Sequence, residues 1–355
     1  MRERPVGSGA GGRVWLALWT VYLIWGSTYL AIRVGVHPTT GRGLPPLLLA
    51  GARFTLAGLV MLAATARRPA PDGRPDPMGA RQWGAAAVVG TALLLGGNGL
   101  VSIAEQRVAS GVAAVVIATV PIWAALAGAA WGQERVGRRH AAGLVLGFAG
   151  VAVLLIGKGG GRVDALGLLM LLAAALSWAG GSVWSRTAPT VRRPLVLTGM
   201  EMLCGGIACF AVGFARGEVG DLHLAEVPAR SWVAAGYLVV AGSLLAYTAY
   251  SWLLHNARLS LVTTYAYVNP VVAVVLGTLL LDEPFTLRTA LASATVVTGV
   301  ALIVGRREQR PEERVADSEG RPRRATKERV AGSEGCPRPA TKAADPASCG
   351  IGEAP

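Results

Sequence analysis

The sequence predicts an all-α integral membrane protein with ten transmembrane helices in two inverted five-helix repeats. Three observations predict it. First, 52% of the 355 residues are hydrophobic and only 15% charged, with a mean hydropathy of +0.47. Apolar runs long enough to cross a bilayer recur throughout. Second, the stretch from Val112 recurs without a gap, at a shift of 149, from Leu261 to Gly305. Pro121 falls on Pro270, Ala124 on Ala273, Gly128 on Gly277, Glu134 on Glu283, and Gly150-Val151-Ala152 on Gly299-Val300-Ala301. Third, the apolar runs number ten, five in each half of the chain, and an odd number per half inserts the second half upside down relative to the first.

Arg2, Arg4 and Arg13 precede the first run, Val14–Ile32, which is too long for a signal peptide and has no small-residue cleavage site after it. Further runs follow at Leu44–Thr65, Gly84–Ala104, Ser110–Trp131, Ala141–Gly157, Ala165–Ser185, Pro194–Ala215, Ser231–Leu254, Leu259–Leu281 and Thr289–Gly305. Residues 1–13 are expected as a cytoplasmic segment, 14–157 as the first repeat and 165–305 as the second. With the N-terminus inside, the inner loops hold the arginine clusters at 67–81, 135–139 and 186–193, while the outer loops hold fewer basic residues, so both ends are expected in the cytoplasm. Residues 306–355 are expected to be a disordered tail. They are polar, rich in Pro and Gly, and carry a 15-residue tandem repeat, Glu313–Lys327 followed by Glu328–Lys342.

The net charge of +13 does not point to nucleic acid, because Lys and Arg sit singly or in pairs between apolar runs rather than in a stripe with aromatics. Four cysteines and four histidines show no metal-ligand spacing. No cofactor is expected. The expected partners are a small-molecule substrate, the lipid bilayer and a candidate coupling proton, in a monomer or homodimer.

The first run contains Trp25-Gly26-Ser27-Thr28-Tyr29 and closes with Ala31-Ile32-Arg33. The second opens with Pro45-Pro46 and runs through Ala52-Arg53-Phe54; the third carries Gly97-Asn98-Gly99, the fourth Ala118-Thr119-Val120-Pro121, and the ninth Thr264 to Pro270. Together with the duplication, these resemble the EamA family of the drug/metabolite transporter superfamily over about Val14 to Arg306. The resemblance implies a ten-helix carrier with both termini inside and a central cavity between inverted halves. It also implies export of small metabolites or amino acids, and leaves the substrate unnamed.

Pro121 and Pro270 each remove a backbone donor and free a carbonyl four residues earlier, at Ile117 and Ala266, at about 3 kcal/mol in an ordinary helix. In lipid such breaks face protein or a water-filled cavity. A hinge or cavity wall is the functional reading, and a packing kink the alternative. At a shift of 153 the first and sixth runs align Trp25 with Trp178 and Arg33 with Arg186. Trp25, Trp123 and Trp178 lie deep, where an indole needs a partner or a cavity; the other tryptophans near run ends suit an interfacial belt. Asn98 aligns with Tyr247, and Tyr250, Tyr265, Tyr267 and Asn269 put further polar groups at the same depth. With Ser27, Thr28 and Tyr29 they suggest a mostly apolar pocket with a few polar fixtures, interhelical hydrogen bonding being the competing account for each alone.

Arg53 and Glu201 are charges well inside apolar runs, where an ion costs about 2.5–3.5 kcal/mol on insertion scales. Their depths leave roughly 7 Å between them along the membrane normal, so a polar pair across the halves is expected, with Glu201 as the better proton carrier. Asp282, Glu283 and Glu134 read as solvated loop residues. Gly143-x-x-x-Gly147 would admit a closely packed helix. A secondary transporter is the leading function. A membrane-embedded enzyme lacks a nucleophile elbow or His-Glu-x-x-His, and a membrane sensor or scaffold rests on the tail repeat alone.

Overall fold

The computed structural model describes residues 8–66, 76–131, 138–156, 164–257 and 265–304. The tail, its tandem repeat and Glu134 lie outside them. Among the described residues the regular structure is helical: α1 (Ser8–Val36), α2 (Pro46–Ala66), α3 (Ala80–Gly90), α4 (Leu100–Ala104), α5 (Ser110–Ile117), α6 (Val120–Ala130), α7 (Arg138–Ile156), α8 (Ala165–Ser185), α9 (Pro194–Ala215), α10 (Ala229–Tyr237), α11 (Ala246–Asn256), α12 (Tyr265–Leu281) and α13 (Leu287–Val304). A π-helical stretch, Thr91–Gly99, joins α3 to α4, and a second, Leu238–Leu245, joins α10 to α11. By length and apolarity, seven of the resulting rods are able to cross a membrane. Large apolar side chains such as Leu16, Val145, Leu169 and Leu279 are exposed on their outer faces, as a lipid-facing surface requires. Trp15, Trp19, Trp131, Trp232 and Trp252 are exposed near rod ends.

The apolar run 110–130 is not one helix. Pro121 supplies no N–H to Ile117, and the chain gives up its α-ladder just before it. Thr119 N bonds to Val116 O (3.0 Å), Ile122 N bonds to Thr119 O (2.8 Å), and the Thr119 hydroxyl donates to Val116 O (2.6 Å). Pro121 therefore sits in the first turn of α6, where a missing N–H costs nothing. Its counterpart Pro270 lies inside continuous α12.

Glycines set the closest helix contacts. Along α2 and α9, Gly51 abuts Phe210, Thr55 abuts Gly206 and Gly58 abuts Leu203. The numbers rise on one helix as they fall on the other, so the two run antiparallel. Helices α7 and α13 cross likewise: Gly150 abuts Ala292 and Val296, and Gly299 abuts Gly143 and Gly147. The shift of 149 exchanges these two sets of contacts with each other. The Gly143-x-x-x-Gly147 pair thus receives a helix.

Acidic side chains tie the rod ends. Gly217, at φ 78°, takes the left-handed conformation that closes α9, with Glu218 N bonding to Gly213 O and Gly217 N to Phe214 O, both 3.0 Å. That turn delivers the Glu218 carboxylate to the first turn of α2, where it accepts from Leu47 N (2.9 Å) and Leu48 N (3.1 Å). At the other end of the pair, Asp76 after α2 accepts from Arg192 N and Arg193 N at the start of α9, each at 3.1 Å, and pairs with the Arg193 guanidinium.

Candidate functional site

The rods line a cavity with residues from α1, α2, α5, α6, α8, α11, α12 and the stretch 97–101. On α1 the lining residues are Trp25, Thr28, Tyr29 and Ile32, at i, i+3, i+4 and i+7, one helical face. The π-helical stretch 91–99 re-aims its rod so that Gly97 and Asn98 both reach the cavity, a common use of such stretches. Ile117 with Pro121, and Ala266 with Pro270, all line it. The carbonyls the prolines free therefore belong to residues at the cavity wall, where water is able to serve them.

One wall is an aromatic cluster. The Trp25 ring lies 5.1 Å from Tyr247, 5.0 Å from Tyr250 and 5.2 Å from Tyr265, centroid to centroid. Its indole N–H donates to Gly242 O (3.3 Å), a carbonyl of the second π-helical stretch. Trp178 closes the cavity over Gly97, where a Cβ would fall 2.7 Å from the indole ring. Asn269 is buried, and when its amide is assigned in the orientation that satisfies both ends, the nitrogen donates to Tyr22 O (3.3 Å) and Tyr265 O (3.2 Å).

Arg53 supplies the charge. It is 5% exposed, lines the cavity, and its Nε donates to Ser243 Oγ at 2.8 Å. Among the described residues it makes no ion pair. The expected Arg53–Glu201 pair does not form, and the register of α2 on α9 explains why. With Gly58 opposite Leu203 and Thr55 opposite Gly206, Glu201 falls level with Val60 and Arg53 with Ala208. That offset is about 10 Å along the axes. Glu201 is absent from the cavity lining, and its backbone carbonyl faces Gly90 of α3.

The structure brings together Trp25, Thr28, Tyr29, Arg53, Asn98, Trp178, Tyr247, Tyr265 and Asn269 with both prolines. Four expected residues stand elsewhere. Ser27 turns to Tyr237 OH (2.6 Å) between α1 and α10. Trp123 packs edge-on against Phe148 of α7, 5.1 Å between centroids, and is not among the lining residues. Tyr250 buttresses Trp25 and Tyr265 from behind. Glu201 is the fourth. The Tyr267 side chain lies outside the described residues. Sequence reasoning missed Ser243 and the apolar lining residues Ile32, Val101, Ala114 and Ala174; extending the helical period from Trp25 and Asn98 would have reached Ile32 and Val101.

Two segments of the chain, residues 13–156 and 165–305, each match the model of the EamA-like transporter family. The chain belongs to the EamA-like transporter family. The double match makes the internal duplication a property of the EamA fold, and the chain a multi-pass membrane protein. It is 38% identical, over 81% of its length and 89% of the relative's, to the uncharacterized inner membrane transporter YedA of Escherichia coli K12. It is 26% identical to a probable amino-acid metabolite efflux pump of the same organism, over 80% of this chain and 92% of that one. A crystal structure of a protein 23% identical in sequence has a similar fold, with a TM-score of 0.53 over 82% of this chain and 96% of that one.

Proposed function

We propose that this EamA protein is a secondary transporter of small organic anions with apolar or aromatic bodies, cycling by alternating access between two inverted five-helix repeats. The observation that carries the substrate class is Arg53. A guanidinium buried at a cavity wall without a carboxylate, offset only by the face of the Phe54 ring 4.6 Å away, keeps its remaining donors for a bound acid. The aromatic wall formed by Trp25, Tyr247 and Tyr265 stands beside it to receive the body of the solute. Amino acids satisfy this chemistry through their carboxylate, in keeping with the name of the efflux-pump relative.

The antiparallel crossings of α2 with α9 and of α7 with α13 support the inverted arrangement, since equivalent helices of the two repeats run in opposite directions. The duplicated prolines at the cavity wall are the natural hinges. Ten spans, with both ends in the cytoplasm, follow from this arrangement and the loop arginines, and residues 306–355 are dispensable for transport. The sequence carries no Walker motif, so the driving force is an ion or solute gradient. Flux of a labelled panel of organic acids, amines and neutral solutes into vesicles holding the purified protein tests the reading. Uptake of acids is expected, and uptake of no panel member would refute it.

A further inference from the structure

One helical turn beyond the cavity lies a buried polar cluster that the substrate site does not use. Val101 and Ile32 line the cavity. Glu105 follows Val101 by one turn, its N–H bonded to Val101 O at 2.9 Å, and Arg33 follows Ile32. Glu105 is fully buried, and neither carboxylate oxygen has a hydrogen-bond partner. Arg33 donates to the backbone carbonyl of Glu105 rather than to its side chain. Beside them, Glu283, just after α12, accepts from Ser110 N (2.8 Å), Ser110 Oγ (2.9 Å) and Gly111 N (3.2 Å) at the start of α5. Asp282, at φ 52°, makes the left-handed turn that points Glu283 there. The contact joins the residue pair that follows a second-repeat helix to the first turn of a first-repeat helix.

Two carboxylates and one guanidinium, of which Glu105 is the fully buried member, leave one negative charge in excess. Glu283 is satisfied by three donors and Glu105 by none, so a proton is best accommodated on Glu105. The other groups facing it are accounted for. Tyr29 comes from α1 and lines the cavity; α8 brings Asp164, engaged by Arg107 at 3.3 Å; and Arg53 of α2 turns to Ser243. Burial, reinforced by Glu283 and only partly offset by Arg33, holds the Glu105 carboxyl well above its ordinary range.

We propose that Glu105 is a proton-binding site that latches this end of the cavity, protonated while the Glu283–Ser110 contact is closed and deprotonated when α5 and α12 part and admit water. The inference rests on the alternating-access reading and makes the gate itself the point of proton coupling. The sign follows from linkage. The closed form binds the proton more tightly than the open, hydrated form, so low pH favours closure and rising pH favours opening. The change is up to about tenfold per pH unit for one proton, between the ordinary carboxylate value of 4.5 and the raised value of the closed form.

The test uses the full chain in sealed vesicles, with its four cysteines replaced by serine and Ala114→Cys as a reporter at the cavity wall. A membrane-impermeant thiol reagent is added on the latch side, with no substrate present. Labelling, divided at each pH by the reagent's rate with a free small-molecule thiol so that thiolate formation cancels, should rise with pH by up to about tenfold per unit. It should stay flat at its low-pH level in Glu105→Gln, and regain a pH dependence in Glu105→Asp. Glu283→Gln removes the neighbouring charge and should move the midpoint to lower pH, a readout that stands if Glu105→Gln fails to insert. A wild-type curve in Glu105→Gln, or an unmoved midpoint in Glu283→Gln, overturns the latch, and a flat curve in the wild type does so directly. Replacing sodium by choline should change nothing; a sodium-dependent curve would make this a metal-cation site and overturn the proton assignment. Because no substrate enters the measurement, failure of the anion reading leaves it unaffected.

Discussion

The Nε of Arg53 on α2 donates to the hydroxyl of Ser243 in the second π-helical stretch at 2.8 Å, a contact between the two repeats at the wall of the cavity. It fixes the guanidinium by one donor. Ser243 is fully buried, and its replacement by Ala removes this partner and lets Arg53 swing. A hydrogen bond to a charged group contributes about 1.5–3 kcal/mol, so Ser243→Ala should weaken substrate binding about tenfold or more, seen as a raised KM. An unchanged KM would show that Ser243 only fills space.

The prolines are not equivalent, and their variants should differ. Pro270 lies inside α12, where replacement by Ala restores a backbone bond and relieves up to about 3 kcal/mol. Pro121 occupies the first turn of α6, where it costs little. Pro270→Ala should therefore raise the melting temperature and slow exchange between inward- and outward-open forms, while Pro121→Ala should slow exchange with a smaller change in stability. Transport rates in vesicles and thermal unfolding in detergent measure both. Wild-type exchange rates in both variants and in the double would reduce the prolines to packing features.

Much of this was legible in the sequence because hydropathy and duplication are long-range patterns, insensitive to local detail. The cavity face of α1 was legible too, since Trp25, Thr28 and Tyr29 share a helical period. The π-helical stretches were not: Thr91–Gly99 and Leu238–Leu245 read as ordinary apolar helix, and an extra residue per turn rotates everything beyond it. The Arg53–Glu201 pair failed for a related reason. Depth along the membrane normal was estimated from segment ends, whereas the register is set by glycine contacts between α2 and α9. Glu283 read as a solvated loop residue because nothing local reveals that the start of α5 lies beside it.

Asp76 should contribute measurably to stability. Despite burial, which opposes ionisation, bonds from the Arg193 side chain and backbone and from Arg192 hold its carboxyl below the ordinary 3.8. A carboxyl with a depressed folded-state pKa stabilises above its unfolded value and loses that contribution as pH falls through the folded one. Asp76→Ala should cost about 1–2 kcal/mol near neutral pH, as lost helix caps do, and the difference from wild type should shrink below pH 3.8. Equal stability at neutral pH would contradict the capping role.

The topology has its own test. Reporter fusions after Gly305 should report the cytoplasm, and a cysteine placed at Asp221 in a chain otherwise free of cysteine should react from outside. Reversal at both positions would overturn the orientation while leaving the inverted repeats possible.

The central claim is that Arg53 gives an aromatic-walled cavity its preference for organic acids. The most direct measurement compares uptake, by wild type and by Arg53→Ala, of three solutes with the same aryl body ending in a carboxylate, an amide or an amine. Wild type should favour the carboxylate, and Arg53→Ala should lose that preference by at least about thirtyfold, the low end of the 2–5 kcal/mol lost when a buried charge pair is broken. Arg53→Lys should keep the preference in weakened form. Equal uptake of acid and amide by wild type, or an undiminished preference for the acid in properly inserted Arg53→Ala, would contradict the account.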